Sequence, residues 1–124
     1  MTFKEQFDNW INRLTKSETP PKDIVAFNFG LFEAENGYTI YVIGAKTFDD
    51  DDSDWATEVD FEPKDKYLVI NPDETNGLEW DEVLEKAKLT IEQFVSSDKF
   101  NDSFMKNAEA ITTGFDDGDL LRIK

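Results

Sequence analysis

The residues most able to do chemistry lie in one run, Asp49-Asp50-Asp51-Asp52-Ser53-Asp54, followed directly by Trp55. Carboxylates at alternate positions are hard-oxygen donors, the ligand type that calcium takes. In a calcium-loop register starting at Asp49, Asp51 falls at position 3, Ser53 at position 5 and Asp60 at position 12. Position 6 is then Asp54, where such a loop needs glycine. The flanks read as strand and loop, not as two helices. A helix–loop–helix site is therefore disfavoured, and a weak, opportunistic calcium site stays open as an alternative. The plainer reading is a solvated acidic loop. Adjacent aspartates repel one another, so the run also fits a docking surface that a basic partner neutralises. Trp55 has two readings: an anchor that pins the loop to the core, or a contact aromatic within an acidic rim suited to Arg or Lys.

A second acidic group is Asp116-Asp117-Gly118-Asp119. An Asp117-Gly118 type I′ turn would set Asp116 opposite Asp119. That turn is solvated in the plainer reading. If the sheet brings it beside the first run, the two form one acidic surface. The candidate partner-binding residues are thus Asp49, Asp50, Asp51, Asp52, Asp54, Trp55, Asp116, Asp117 and Asp119.

The rest of the composition narrows the chemistry. The 124 residues contain no histidine and no cysteine. Ser-His-Asp, Cys-His and His-based zinc catalysis are excluded, as are disulfides and thiolate metal sites. No phosphate loop, GxGxxG or GxSxG is present. Carboxylate pairs arise by chance when 28 of 124 residues are acidic, and the chain is small for a sugar cleft. These facts point to binding without turnover, with no cofactor and no metal. The net charge of −15 is uneven: residues 49–82 hold 14 acidic and 2 basic side chains. Such a segment repels nucleic acid and anionic membranes and attracts a cationic protein.

The elements that must position these residues follow from periodicity. Phe3, Phe7, Trp10, Ile11 and Leu14 form a helical stripe, and Thr2 with Glu5 suits a capping box. Lys4, Glu5, Asp8 and Arg13 interrupt any apolar leader, so we expect no export signal here and a cytoplasmic protein. Strands are expected over Asp23–Glu33, Tyr38–Lys46 and Tyr67–Asn71. A hairpin turn is expected at Asn36-Gly37, pairing Glu35 with Tyr38, Leu31 with Val42 and Phe29 with Gly44. One face of this hairpin, with Val25, Phe27, Phe29, Leu31, Ile40 and Val42, reads as core. The other, with Ala26, Asn28, Phe32, Tyr41 and Ile43, is too apolar for free solvation. Either the chain or a partner covers it, which keeps a homo-oligomeric structural role as an alternative. Pro72–Gly77 reads as a turn. Helices are expected over Glu79–Ser96, with Trp80, Val83, Leu84, Ala87, Ile91, Phe94 and Val95 in its stripe, and over Asp98–Ala110. The hairpin Ile111–Phe115 and Asp119–Ile123 closes the chain.

The order α-β-β-β-α-α-β-β predicts one α+β domain over residues 1–124, a mostly antiparallel sheet of about five strands with helices on one face. The expected core is Phe3, Phe7, Trp10, Leu14, Phe27, Phe29, Leu31, Val42, Val69, Val83, Leu84, Ala87, Ile91 and Phe94.

Two stretches carry a resemblance. They are Asp49–Ala56 (DDDDSDWA), followed by Phe61 and Pro63, and Ile111–Leu120 (ITTGFDDGDL). Together with the aromatic strand Phe27–Phe32, the chain resembles small acidic bacterial proteins of the immunity type, encoded beside secreted polymorphic toxins. The resemblance implies a cytoplasmic, non-enzymatic protein that binds and blocks a cognate toxin.

Overall fold

The computed structural model describes residues 1–35 and 37–124. Helix α1 (Phe3–Ser17) starts at the expected capping box: Glu5 N–H donates to Thr2 Oγ1 at 3.2 Å and Thr2 N–H to the Glu5 carboxylate at 3.1 Å. Its stripe, Phe3, Phe7, Trp10, Ile11 and Leu14, is fully buried. Strands β1 (Ala26–Ala34), β2 (Gly37–Ala45), β3 (Tyr67–Val69), β4 (Ala110–Phe115) and β5 (Leu121–Arg122) form one sheet in the order β3-β2-β1-β4-β5. Short helix α2 (Pro72–Thr75), long helix α3 (Trp80–Val95) and short helix α4 (Asp98–Asn101) lie between β3 and β4. The fold is α+β, and its sheet is mixed but mostly antiparallel. The pairing of β1 with β4 is parallel. That parallel pair arises because the chain returns to the sheet through α3 and α4, not through a hairpin.

Helices α1 and α3 cover one sheet face. There Phe7 meets Phe29 at 5.7 Å, Trp10 at 5.8 Å and Phe94 at 5.9 Å between ring centroids. The Trp10 indole N–H donates to the Asp65 carbonyl at 2.7 Å, which ties α1 to the approach of β3. One end of the opposite face is covered by the chain itself. Phe48, Trp55 and Leu120 pack with Ala26, Ala45 and Ala110 in a second, smaller cluster. The apolarity that motivated a homo-oligomeric role is thus met internally at this end of the hairpin.

Several expectations are corrected. The hairpin pairs Glu33 with Tyr38, Leu31 with Ile40 and Phe29 with Val42, and Ala34 closes it against Gly37. The register differs by two residues from the expected one, so every side chain keeps its face. It sets Val42, not Gly44, opposite Phe29, a better cross-strand pair. The expected turn residue Asn36 lies outside the described residues; Gly37 has φ of +139°, which glycine tolerates. Val25 precedes β1 and packs in the smaller cluster rather than the main core. Val69 is 66% exposed, whereas Leu68 and Ile70 face inward, so β3 alternates in the opposite sense. Leu84 is only partly buried. The helix expected to reach Ala110 ends at Asn101. There Ser103 Oγ donates to the Phe100 carbonyl and accepts from Met105 N–H, competing with helical backbone bonds. Among the described residues, no helix is long and apolar enough to cross a membrane.

Candidate binding surface

The acidic loop is shaped by its own side chains. Asp51 N–H donates to Asp49 Oδ1 at 2.9 Å, and Asp54 N–H donates to Asp52 Oδ1 at 3.0 Å. Asp52 thereby caps a 3₁₀ turn, Ser53–Thr57. Asp50 pairs with the Arg122 guanidinium of β5 at 3.3 Å. Arg122 also lies over the Phe48 ring, 4.9 Å from its centroid. Trp55 stands edge-on to Phe48 at 5.3 Å and is 5% exposed. The structure therefore places Trp55 beneath the loop as its anchor. It offers almost no surface to a partner.

Not all acidic residues of the 49–82 segment face outward freely. Asp60 accepts the Lys46 N–H, Glu62 pairs with Lys66, and Asp65 pairs with Arg13. Glu74 accepts the Phe3 N–H and faces Lys86; the first of these contacts, then the cation, hold its carboxyl below the usual range. Asp60, Asp65 and Glu74 join separate parts of the fold, and Glu62 makes a local pair. Asp49–Asp54 contains the densest remaining charge.

The second acidic group differs from its expected form. Gly118 N–H donates to the Phe115 carbonyl at 3.0 Å, closing a turn around Asp116 and Asp117. Neither Asp117 nor Gly118 has positive φ, so the turn is not type I′. The ladder pairs Thr112 with Arg122 and Thr113 with Leu121. Asp116 and Asp119 consequently do not oppose each other, which removes the like-charge clash. Asp116 instead accepts the Tyr41 hydroxyl. Asp119 lines a hollow of about 270 Å³ together with Asp49, Asp50, Asp51 and Asp52. Asp54 and Asp116 face a second cleft of about 490 Å³, floored by Asn28, Phe32, Tyr41 and Ile43. Asp117 faces a third, of about 630 Å³. The sheet thus brings Asp116 and Asp119 beside the Asp49–Asp54 loop on the second face, whereas Asp117 faces a cleft that Leu31, Tyr38 and Trp80 of the helix-covered side also line.

Side chains that sequence reasoning missed complete this surface. Helical periodicity puts Trp80 in the stripe of α3, yet it is 60% exposed. It is the first residue of α3, and one sheet residue, Phe115, stands edge-on against it at 6.0 Å. Tyr67, on edge strand β3, is 53% exposed and packs edge-on to Phe32 and Tyr41. The Lys66 ammonium lies over both tyrosine rings, at 5.1 Å from Tyr67 and 5.4 Å from Tyr41. Alternation of β1 and β2 points to Phe32 and Tyr41, but no local signal marks Trp80 and Tyr67 as surface aromatics or Lys66 as the cation over the two tyrosines.

Burial first, and then the Asp116 carboxylate, push the Tyr41 hydroxyl well above its ordinary range. The folded state therefore holds this proton more tightly than the unfolded chain. Its contribution to stability is complete below the unfolded value of about 10 and is lost as pH rises beyond it. Urea midpoints measured from pH 8 to 11 should fall less steeply for Tyr41→Phe than for the wild type. Parallel curves would refute the assignment.

Among the described residues, no three acidic side chains converge in a way that could hold a metal ion. In the loop, Asp49 and Asp52 are turned onto backbone N–H groups and Asp50 onto Arg122. No family model, curated protein or solved structure matches the chain.

Proposed function

We propose that this chain is a non-enzymatic acidic binding protein, an immunity protein that acts in the cytoplasm by binding and blocking a cognate basic toxin. One observation carries the reading: two acidic groups far apart in sequence, Asp49–Asp54 and Asp116–Asp119, converge on one side of the sheet around open clefts. Carboxylates there would stand where a basic toxin, such as a nuclease, meets phosphates. The field of such a surface accelerates encounter, while desolvated pairs slow dissociation. Of the stretches that resemble immunity-type proteins, Asp49–Asp54 and Asp116–Asp119 contribute to this surface, whereas Phe27, Phe29, Phe61 and Ile111 belong to the main core.

The test uses the product of the adjacent gene, expressed as a basic toxin domain. The chain should form a stoichiometric complex with it and suppress its activity. Neutralising the loop with D49N/D50N/D51N/D52N should slow association by roughly 10-fold or more at low salt and flatten its salt dependence. An association rate unchanged by the four substitutions would remove the electrostatic mechanism.

A further inference from the structure

The three hollows that the acidic groups line differ in how their charge is compensated. The one beside the acidic loop contains Arg122, already paired with Asp50. The one over Asn28 contains Lys66, already paired with Glu62. The third, about 630 Å³, is lined by Glu33, Asp116 and Asp117, and none of the described residues lining it is a lysine or arginine. Its lining also includes the exposed Trp80. Trp80 stands edge-on to Phe115 at 6.0 Å, and Phe115 stands edge-on to Tyr38 at 5.9 Å. Phe32 and Leu31 complete the apolar lining.

Two physical facts select the occupant. Trp80 is 60% exposed at the mouth of this cleft, and indole is the strongest aromatic acceptor of a cation. The carboxylates leave the cleft with negative charge that nothing in its lining offsets. A neutral apolar ligand would leave that charge uncompensated. A guanidinium suits both parts at once: its plane stacks on the ring and its fork of N–H donors meets carboxylate oxygens.

We propose that the cleft between Trp80, Phe115 and the Asp116-Asp117 turn is the docking slot for an arginine side chain of the basic partner. This rests on the proposed function and moves the aromatic centre of the interface from Trp55 to Trp80. The acidic loop then acts mainly on the rate of encounter, and the slot on the lifetime of the complex.

Hexa-arginine serves as the probe, with hexa-lysine and hexa-citrulline beside it. Of the three tryptophans, Trp10 and Trp55 are buried, so Trp80 dominates any change in emission caused by a surface ligand. Hexa-arginine should give a saturable change, hexa-lysine a weaker one and hexa-citrulline none. By calorimetry, W80A should weaken hexa-arginine binding about 5- to 30-fold, the range of a desolvated cation–π contact. W80F should retain part of it, and circular dichroism should show both variants folded. If W80A binds as the wild type does while D49N/D50N/D51N/D52N weakens binding, the slot is overturned and the basic-partner reading stands. If the wild type binds neither cationic peptide and forms no complex with the toxin domain, both fall.

Discussion

Trp55→Ala should lower the free energy of unfolding by about 3–5 kcal/mol, the range for removing a buried aromatic side chain. The upper part of that range is expected because of what surrounds the indole. Ala26 of β1, Ala45 of β2 and Ala110 of β4 are all fully buried beneath it. Three methyl groups on adjacent strands leave a hollow that a large planar side chain fills. They cannot move to refill it, since each is fixed in the ladder. The cavity would therefore persist, and persistent cavities cost the most. Phe48 would lose its edge-on partner at the same time. Arg122 rests on Phe48 and pairs with Asp50, so the loop would lose its platform. Equilibrium urea unfolding measures the total. Hydrogen exchange at the Asp51 and Asp54 amides, which are bonded to Asp49 and Asp52, measures the local part. Both amides should exchange faster in the variant even where the α1–α3 core is intact. A loss below about 1 kcal/mol would mean that Trp55 is not the anchor.

The contrast between Trp55 and Trp80 explains what the sequence could and could not disclose. Both tryptophans have acidic neighbours, and the one local signal, helical periodicity, points to burial of Trp80 and leaves Trp55 undecided, the reverse of their exposure. Burial of Trp55 was decided by three alanines on three different strands. Exposure of Trp80 was decided by where α3 begins relative to the sheet. By contrast, the capping box at Thr2 and Glu5 was legible because its partners are three residues apart. Alternation assigned the faces of β1 and β2 correctly from Phe27 and Ala26 onward, but it could not fix their register. A shift of two residues leaves every side chain on the same face. The parallel union of β1 with β4 had no local trace. Its buried Thr112–Asn28 hydrogen bond joins residues 84 apart. That union brings the Asp116–Asp119 turn to the acidic loop, so the convergence could be stated beforehand only as a condition. Val69 failed for a simpler reason: in a strand of three residues, alternation has almost nothing to phase against.

Gly30→Ala should destabilise the protein by about 1–3 kcal/mol, although alanine is ordinarily favoured over glycine within a strand. Gly30 pairs with Tyr41 across the hairpin, and the Tyr41 ring lies directly over it. A methyl group there would overlap Cζ, Oη and Cε1 of the tyrosine. The ring would have to swing away. Its hydroxyl would leave Asp116, and its face would leave Phe32 and Lys66. The Tyr41 hydroxyl should then titrate closer to its ordinary range, which ultraviolet difference absorbance can follow. A double-mutant cycle isolates the cause. With Tyr41→Ala already present, the three overlapping atoms are gone, and Gly30→Ala should become neutral or stabilising by up to about 1 kcal/mol. The sign of the substitution therefore depends on one neighbouring ring. A cost that persists without Tyr41 would place the conflict in the backbone instead. The consequence extends to the partner surface, because Asp116 borders both the cleft over Asn28 and the Trp80 slot. Freed from Tyr41, this carboxylate would gain mobility and be less well placed for a guanidinium. Gly30→Ala should thus weaken hexa-arginine binding although it replaces no residue that lines the slot.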